Sequence, residues 1–335
     1  MRQKIKPTLF LLGILVTAPL AAVEINQGDY KNRADVNAFV NRMIEQSSYS
    51  ESELVELFST VKKQNQLFDR LNRPAEKALE WHQYRKIFLK ERRIADGVAF
   101  WRKHQELLTE VSRKTGVPSE IIVAIIGVET FYGVYKGKDP VFHSLVTLAF
   151  DYPKRASFFK RELEEFLLLT SEQKLDPRVL MGSYAGAMGM PQFISSSYRS
   201  YAVDYDQDGQ VNLFDSIADI IGSVANYFVR HGWRAREAIA GPLTLAENNT
   251  VGNLEPGVVT SHQWSELAQN GLRSKTKLAA DTPVALVKLE QKNRSEYWAG
   301  LNNFYVITRY NHSELYAMAV YQLSLLIKSR MEKSE

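Results

Sequence analysis

The 335-residue chain contains no cysteine. That excludes disulfides, thiolate chemistry and a lipid anchor on an N-terminal cysteine, so packing must hold the fold together. The six histidines show no ligand spacing, and no zinc site is expected. Beyond the first residues no apolar run approaches membrane-spanning length. An excess of one charge is lacking too: 42 basic against 38 acidic residues give +4. The basic residues are scattered rather than striped, so no nucleic-acid partner is expected, and the mild excess suits an anionic polymer. There is no internal repeat and no low-complexity tract. With 45% apolar and 24% charged residues, the composition is that of a soluble globular protein. Its length exceeds one ordinary core and argues for two or three domains.

The N-terminus carries Arg2, Lys4 and Lys6, an apolar run from Leu9 to Val16, and the small residues Ala21 and Ala22. This is the layout of a secretory signal peptide cleaved after Ala22, and it places the mature chain in the periplasm. The alternative is an uncleaved membrane anchor, since Leu20 is large for the position two residues before the cleavage residue.

Helical periodicity runs from Asp35 to Arg113. Leu54, Leu57, Val61, Phe68 and Leu71 fit one face, Pro74 makes a break, and Trp81–Phe88 and Val98–Val111 follow. Pro118 suits a first helical turn. Behind it Ile121, Ile122, Ile125 and Ile126 form an apolar stripe that Gly133 stops. Further helices are expected over Phe158–Leu169 and Ser216–Arg230, the latter opened by Ser216 and Asp219 at capping-box spacing. After Trp233, Gly241-Pro242, Asn248-Asn249, Gly252 and Pro256-Gly257 punctuate short segments. Pro283–Leu289 and Phe304–Thr308 read as strands. A last helix, Ser313–Lys328, carries Tyr316, Ala319, Val320, Leu323 and Ile327 on one face. The chain is therefore mainly α (α+β), with a small β-rich insertion.

Glu129 lies three and four residues beyond Ile126 and Ile125, which puts a carboxylate on the apolar stripe. Desolvation there disfavours its charged form, the property a general acid needs near neutral pH. From the stripe alone, a structural glutamate in an ion pair explains the position as well.

Six motifs alter that balance. Val117-Pro118-x-Glu120-Ile121-Ile122 leads into Gly127-Val128-Glu129-Thr130-Phe131-Tyr132-Gly133. Asp151-Tyr152-Pro153-Lys154-Arg155-Ala156 follows, and then Ser183-Tyr184-Ala185-Gly186-Ala187-Met188-Gly189-Met190-Pro191-Gln192-Phe193. Ala225-Asn226-Tyr227-Phe228 with His231-Gly232-Trp233 comes next, and Phe304 through His312 closes the series. In this order, from about Trp81 to Leu326, they resemble the lytic murein transglycosylase B family. The resemblance implies a lysozyme-like helical core within residues 114–235, an N-terminal helical domain over 23–113 and a small β-rich domain over 236–303. Residues 304–335 would return to complete the core, behind a signal peptide of residues 1–22.

The family cleaves the β-1,4 bond between N-acetylmuramic acid and N-acetylglucosamine in peptidoglycan without water, leaving 1,6-anhydromuramic ends. Such chemistry needs one carboxylate, because the tethered C6 hydroxyl of the substrate replaces an activated water. Glu129 would be acid and then base. By match to the motifs, Ser183 and Gln192 would hydrogen-bond sugar groups, and Tyr227 would point its hydroxyl toward Glu129 or the N-acetyl group. Tyr84, Tyr310, Asn311 and Tyr316 would line the site, since aromatics with a polar tip suit sugars. Lys154 and Arg155 would meet carboxylates of lactyl groups or stem peptides. Lys154 stands where some relatives carry arginine, which keeps the charge and loses the bidentate fork. Each of these residues also has a plain alternative as a packing turn, half-buried core or solvated basic pair.

Asp204, Asp206, Asp208 and Asp215, with the main-chain carbonyl of Gln210 and Gly209 at the turn, fit positions of an EF-hand-like loop. The expected occupant is a structural Ca2+, with no organic cofactor. Asp215 falls where the pattern has glutamate, and a metal-free Asp-rich turn is the alternative. The expected partner is the peptidoglycan glycan strand, with other cell-wall enzymes as further partners, for a monomeric protein. A muramidase-type hydrolase using water and a non-catalytic Ca2+-stabilised peptidoglycan-binding protein are the competing functions.

Overall fold

The structure, a computed structural model, describes residues 23–72, 79–245 and 251–333. The expected signal segment, Pro74 and the Asn248-Asn249 turn lie outside them. The helices are α1 (Ala34–Gln46), α2 (Glu51–Ser59), α3 (Gln66–Asn72), α4 (Trp81–Phe88), α5 (Glu91–Lys103), α6 (Gln105–Thr115), α7 (Ser119–Thr130), α8 (Val141–Asp151), α9 (Ala156–Glu172), α10 (Ser195–Tyr201), α11 (Ile217–Arg230), α12 (Trp264–Gln269), α13 (Asn302–Tyr310) and α14 (Glu314–Glu332). Two short strands, β1 (Asp139–Pro140) and β2 (Met181–Gly182), pair with each other. A five-stranded antiparallel sheet holds β3 (Ala240–Leu245), β4 (His262–Gln263), β5 (Leu272–Ser274), β6 (Pro283–Glu290) and β7 (Ser295–Gly300) in the order β4-β6-β7-β3-β5. No described helix is long and apolar enough to cross a membrane.

Helix α7 is the spine. The expected apolar stripe is instead burial on all sides, since every residue from Ile121 to Val128 is buried. α14, α5, α6 and α11 pack around it, which explains a helix with almost no polar face. One apolar core takes residues from α1 through α11 and from α13 and α14. A smaller core forms between β3, β5, β6 and β7 and α12.

Strand β6 joins the two. Side chains alternate between the faces of a strand. Ala285, Val287 and Leu289 enter the large core, while Val284 and Leu286 enter the small one. That double burial is why the segment reads as a nearly unbroken apolar run.

Four expectations are corrected. Phe304–Thr308 is not a strand but part of α13. Its β-branched and aromatic residues favour strands on a half-buried surface, yet Asn303, Phe304, Val306 and Ile307 are fully buried at helical spacing. The Asn303 side chain accepts from Arg234 N at 2.9 Å and donates to Arg234 O at 2.8 Å, so tertiary contacts fix the helix. The Val98–Val111 helix is divided at His104 into α5 and α6. The face from Leu54 to Leu71 is likewise split between α2 and α3, although both pieces reach the same core. At α11, Ser216 Oγ accepts from Asp219 N at 3.2 Å, but the Asp219 carboxylate is engaged elsewhere, so only half of the capping box forms.

Candidate active site

Glu129 sits in the last turn of α7, half-buried, and the three residues after Thr130 fix its position. Phe131, Tyr132 and Gly133 have φ of 53°, 58° and 90°, a left-handed run that costs energy at the two aromatics and needs outside support. Thr130 supplies part of it. Its hydroxyl donates to Met190 O at 2.8 Å and accepts from Gly133 N at 3.1 Å. Tyr132 folds back over its own helix and donates to Arg93 O at 2.8 Å. This is possible because residue 127 is glycine: a Cβ there would stand 2.5 Å from the Tyr132 hydroxyl oxygen.

Three tyrosines, Tyr316, Tyr310 and Tyr227, lie within reach of the carboxylate's charge. Tyr316, at the start of α14, donates to Glu129 Oε1 at 2.5 Å. Tyr84 of α4 lies beside Tyr316, whose hydroxyl is pushed well above the usual tyrosine range by burial first and then by the Glu129 charge. Tyr310 is raised for the same reasons, and Tyr227 by burial first, with smaller contributions from Tyr201 and Glu129. These hydroxyls therefore stay protonated as donors throughout the neutral range. The Tyr227 hydroxyl, expected toward Glu129 or the N-acetyl group, feels the Glu129 charge but has its hydrogen engaged by backbone. It donates to Arg309 O at 2.6 Å, and Tyr310 donates to Pro191 O at 2.7 Å. Their rings, 4.8 Å apart, form an apolar wall.

Ser183 is committed to the glycine-rich turn, accepting from Ala185 N at 3.3 Å and Ala187 N at 3.0 Å. That is the packing-turn alternative, and it leaves only the hydroxyl hydrogen for a ligand. Gln192, at φ 53°, spends both amide hydrogens on Gly189 O (2.9 Å) and Lys136 O (3.1 Å). Its carbonyl oxygen remains to accept a hydrogen bond. Gln192, Tyr227, Tyr310 and Arg155 line a cleft lobe of about 570 Å³. Lys154 and Asn311 are exposed and are not part of its wall. Sequence reasoning missed Arg309, His231 and His312, which also line the lobe. Arg309, His231 and His312 all stand inside the six motifs without a role of their own.

The acidic loop departs from the twelve-residue pattern. Asn212 Oδ1 accepts from Phe214 N (2.9 Å) and Asp215 N (3.0 Å), making an extra turn. Asp215 is thereby carried outward, its side chain 78% exposed and paired with Lys136 at 3.3 Å. The acid that returns to the loop is Asp219, which is 1% exposed. Oxygens of Asp204, Asp206 and Asp219 lie within 4.8 Å of one another. Asp208 is not in that group, and its Oδ1 accepts from Gln210 N at 2.8 Å. Burial first, and then the charges of Asp206 and Asp204, hold the Asp219 carboxyl above its usual range. Three hard oxygen donors crowded at the cost of mutual repulsion fit a divalent cation such as Ca2+. The loop also touches the segment that carries Glu129, because Met190 N donates to Leu213 O at 2.8 Å and Met190 O accepts from Thr130, next to Glu129.

Residues 31–325 match the transglycosylase SLT domain family. The chain is 40% identical over 305 residues to membrane-bound lytic murein transglycosylase B of Escherichia coli K12, covering 88% of this chain and 83% of that protein. Among solved structures, the lytic transglycosylase SltB1 of Pseudomonas aeruginosa superposes with a TM-score of 0.85 at 45% identity, covering 90% of this chain and all (100%) of that one. The E. coli lytic transglycosylase Slt35 in complex with calcium superposes with a TM-score of 0.84 at 39% identity, covering 91% and 96%. With its lysozyme-like helical core, this chain belongs to the transglycosylase SLT domain family and is a lytic murein transglycosylase.

Proposed function

We propose that Glu129 carries both proton transfers of the transglycosylase reaction. As an acid it protonates the glycosidic oxygen while the bond to C1 of the muramic residue breaks. The N-acetyl oxygen closes on C1 as an oxazolinium-like intermediate. The C6 hydroxyl then attacks C1, displaces the N-acetyl oxygen, and returns its proton to Glu129. The observation that supports this over hydrolysis is that the groups shown to act on the Glu129 carboxylate are the tyrosines Tyr316, Tyr310 and Tyr227, and that the neighbouring lobe, which Glu129 itself does not line, has no aspartate or glutamate among its described lining residues. Two-carboxylate glycosidases need a second carboxylate for a nucleophile or a water. Tyr316 orients the carboxylate through its 2.5 Å hydrogen bond. Tyr84, Tyr227 and Tyr310 pack against sugar faces, the Gln192 carbonyl accepts from the substrate, and Ser183 keeps the glycine-rich turn closed so that backbone approaches the saccharide.

Asp204, Asp206 and Asp219 would hold a structural Ca2+, a reading that the calcium complex of Slt35 supports. When bound, the ion neutralises the acidic loop. The contact from Leu213 through Met190 to Thr130 then holds the glycine-rich turn against the end of α7. We further assign residues 1–22 as an export signal, the protein to the periplasm as a monomer, and residues 236–303 to a small β-rich domain.

The test is digestion of purified peptidoglycan with mass analysis of the released muropeptides. The wild-type protein is expected to give products one water lighter than hydrolytic ones, and Glu129→Gln is expected to release none while still binding the polymer. Hydrated products, or an active Glu129→Gln protein, would refute the assignment.

A further inference from the structure

The cleft lobe beside the tyrosines is built for negative charge. Arg155, Arg309, His231 and His312 line it, and no described aspartate or glutamate does. Neither guanidinium is in an ion pair among the described residues. Arg155 rests 4.2 Å over the Phe158 ring and Arg309 4.3 Å over the Tyr305 ring. Among the described residues the only side-chain hydrogen bond of Arg309 runs to the Thr308 hydroxyl at 3.1 Å, and its Nε is buried without a partner. Arg199, by contrast, is held between Glu165 and Glu172. Glu162 reaches one wall residue, Ser196, but it is 5% exposed and takes both the amide (3.1 Å) and the hydroxyl (2.7 Å) of that residue. The Arg309 Nε is closed off from solvent, so a carboxylate entering the lobe would meet the guanidinium at its Nη edge, where a charge-assisted hydrogen bond is strong. The main-chain carbonyl of Arg309 accepts the Tyr227 hydroxyl, so this cation is fixed to the tyrosines around Glu129.

We propose that Arg309, beside the Arg155 already expected to meet such groups, is a specificity-determining residue that binds a carboxylate carried on the lactyl arm of the substrate's muramic acid. This rests on the transglycosylase reading above and assigns to Arg309 a role that no sequence motif indicated. The carboxylate is either the lactyl acid of peptide-free strands or an acid of the stem peptide.

The test measures dissociation constants by calorimetry in the Glu129→Gln background, where binding is read without cleavage. Three probes are used: N-acetylglucosaminyl-N-acetylmuramic acid with a free lactyl acid, the same disaccharide with a stem peptide bearing free carboxylates, and that peptide with every carboxylate amidated. At least one acidic probe is expected to bind about ten- to hundredfold more tightly than the amidated one. Whichever acidic probe gains identifies the source of the carboxylate. Adding Arg309→Gln is expected to erase the preference, and Arg309→Lys to keep part of it, with melting curves reporting the fold of each variant. Equal binding of acidic and amidated probes, or a preference that survives Arg309→Gln, overturns the proposal. If Arg309→Gln fails to fold, the preference of the parent protein and of Arg309→Lys decides. Hydrolytic products from the wild-type protein would sink the transglycosylase reading while leaving these binding constants to be read on their own.

Discussion

Gly127→Ala separates the packing account of helix α7 from a propensity account. In a free helix interior the change stabilises by about 0.8–1.0 kcal/mol. Here the new Cβ would meet three Tyr132 atoms, the hydroxyl oxygen at 2.5 Å, Cζ at 2.6 Å and Cε1 at 2.8 Å. Tyr132 has little room to yield. Its ring stacks on Phe100 at 5.7 Å, its hydroxyl is tied to Arg93 O, and Gly97 and Ile327 close the space beyond. Overpacking costs about 1–3 kcal/mol and the lost hydrogen bond about 1 kcal/mol more. After the gain in propensity the net result is a destabilisation of about 1–3 kcal/mol. Urea unfolding followed by tryptophan fluorescence measures it. Peptidoglycan release should fall as well, because Tyr132 is three residues from Glu129. In a Tyr132→Leu background the same substitution should become neutral or stabilising. Stabilisation of the wild-type protein by about 1 kcal/mol, the unconstrained helix value, would refute the steric argument.

Tyr316→Phe removes the hydrogen bond to Glu129 Oε1 and should lower kcat about ten- to hundredfold, the worth of one hydrogen bond to a charged group. The fold should be unchanged by circular dichroism. Asp151 accepts from Tyr30 and Arg33 and pairs with Lys63. Burial raises its carboxyl, but these donors outweigh it and hold it below the usual value of 3.8. Its contribution to stability is then present above that value and lost as pH falls through the lower folded one. Unfolding curves of wild-type and Asp151→Asn proteins should be separated at neutral pH and converge in acid. Removing divalent cations with a chelator should lower Tm and slow release, with both restored by added Ca2+. Asp219→Asn should abolish Ca2+ binding in a calorimetric titration, whereas Asp215→Asn should leave it nearly intact.

Where one short-range rule decided the outcome, the residues announced it. The helices α4, α9, α11 and α14 follow from periodicity, although α9 and α14 run three and four residues past the expected ends, and β6 follows from its apolar run. Phe304–Thr308 was misread because strand propensity is a local signal and the Asn303 contacts with Arg234 and Glu237 are not. A twelve-residue template assumes a fixed loop length and so passes over Asp219, which the Asn212 turn brings beside Asp204 and Asp206. The identity of the carboxylate was legible only through the motifs around it, since periodicity gives Glu129 an apolar setting and nothing more. The engagement of the Tyr227 and Ser183 hydroxyls with backbone, and the unpaired guanidinium of Arg309, depend on tertiary contacts that no local pattern encodes.

The central claim, that the substrate's own hydroxyl and not water completes the reaction at Glu129, is tested most directly by digestion in heavy-oxygen water. The account predicts products one water lighter than hydrolytic muropeptides, with no label at the cleaved end. Heavy oxygen at the new reducing end would contradict it, because it would show water to be the nucleophile.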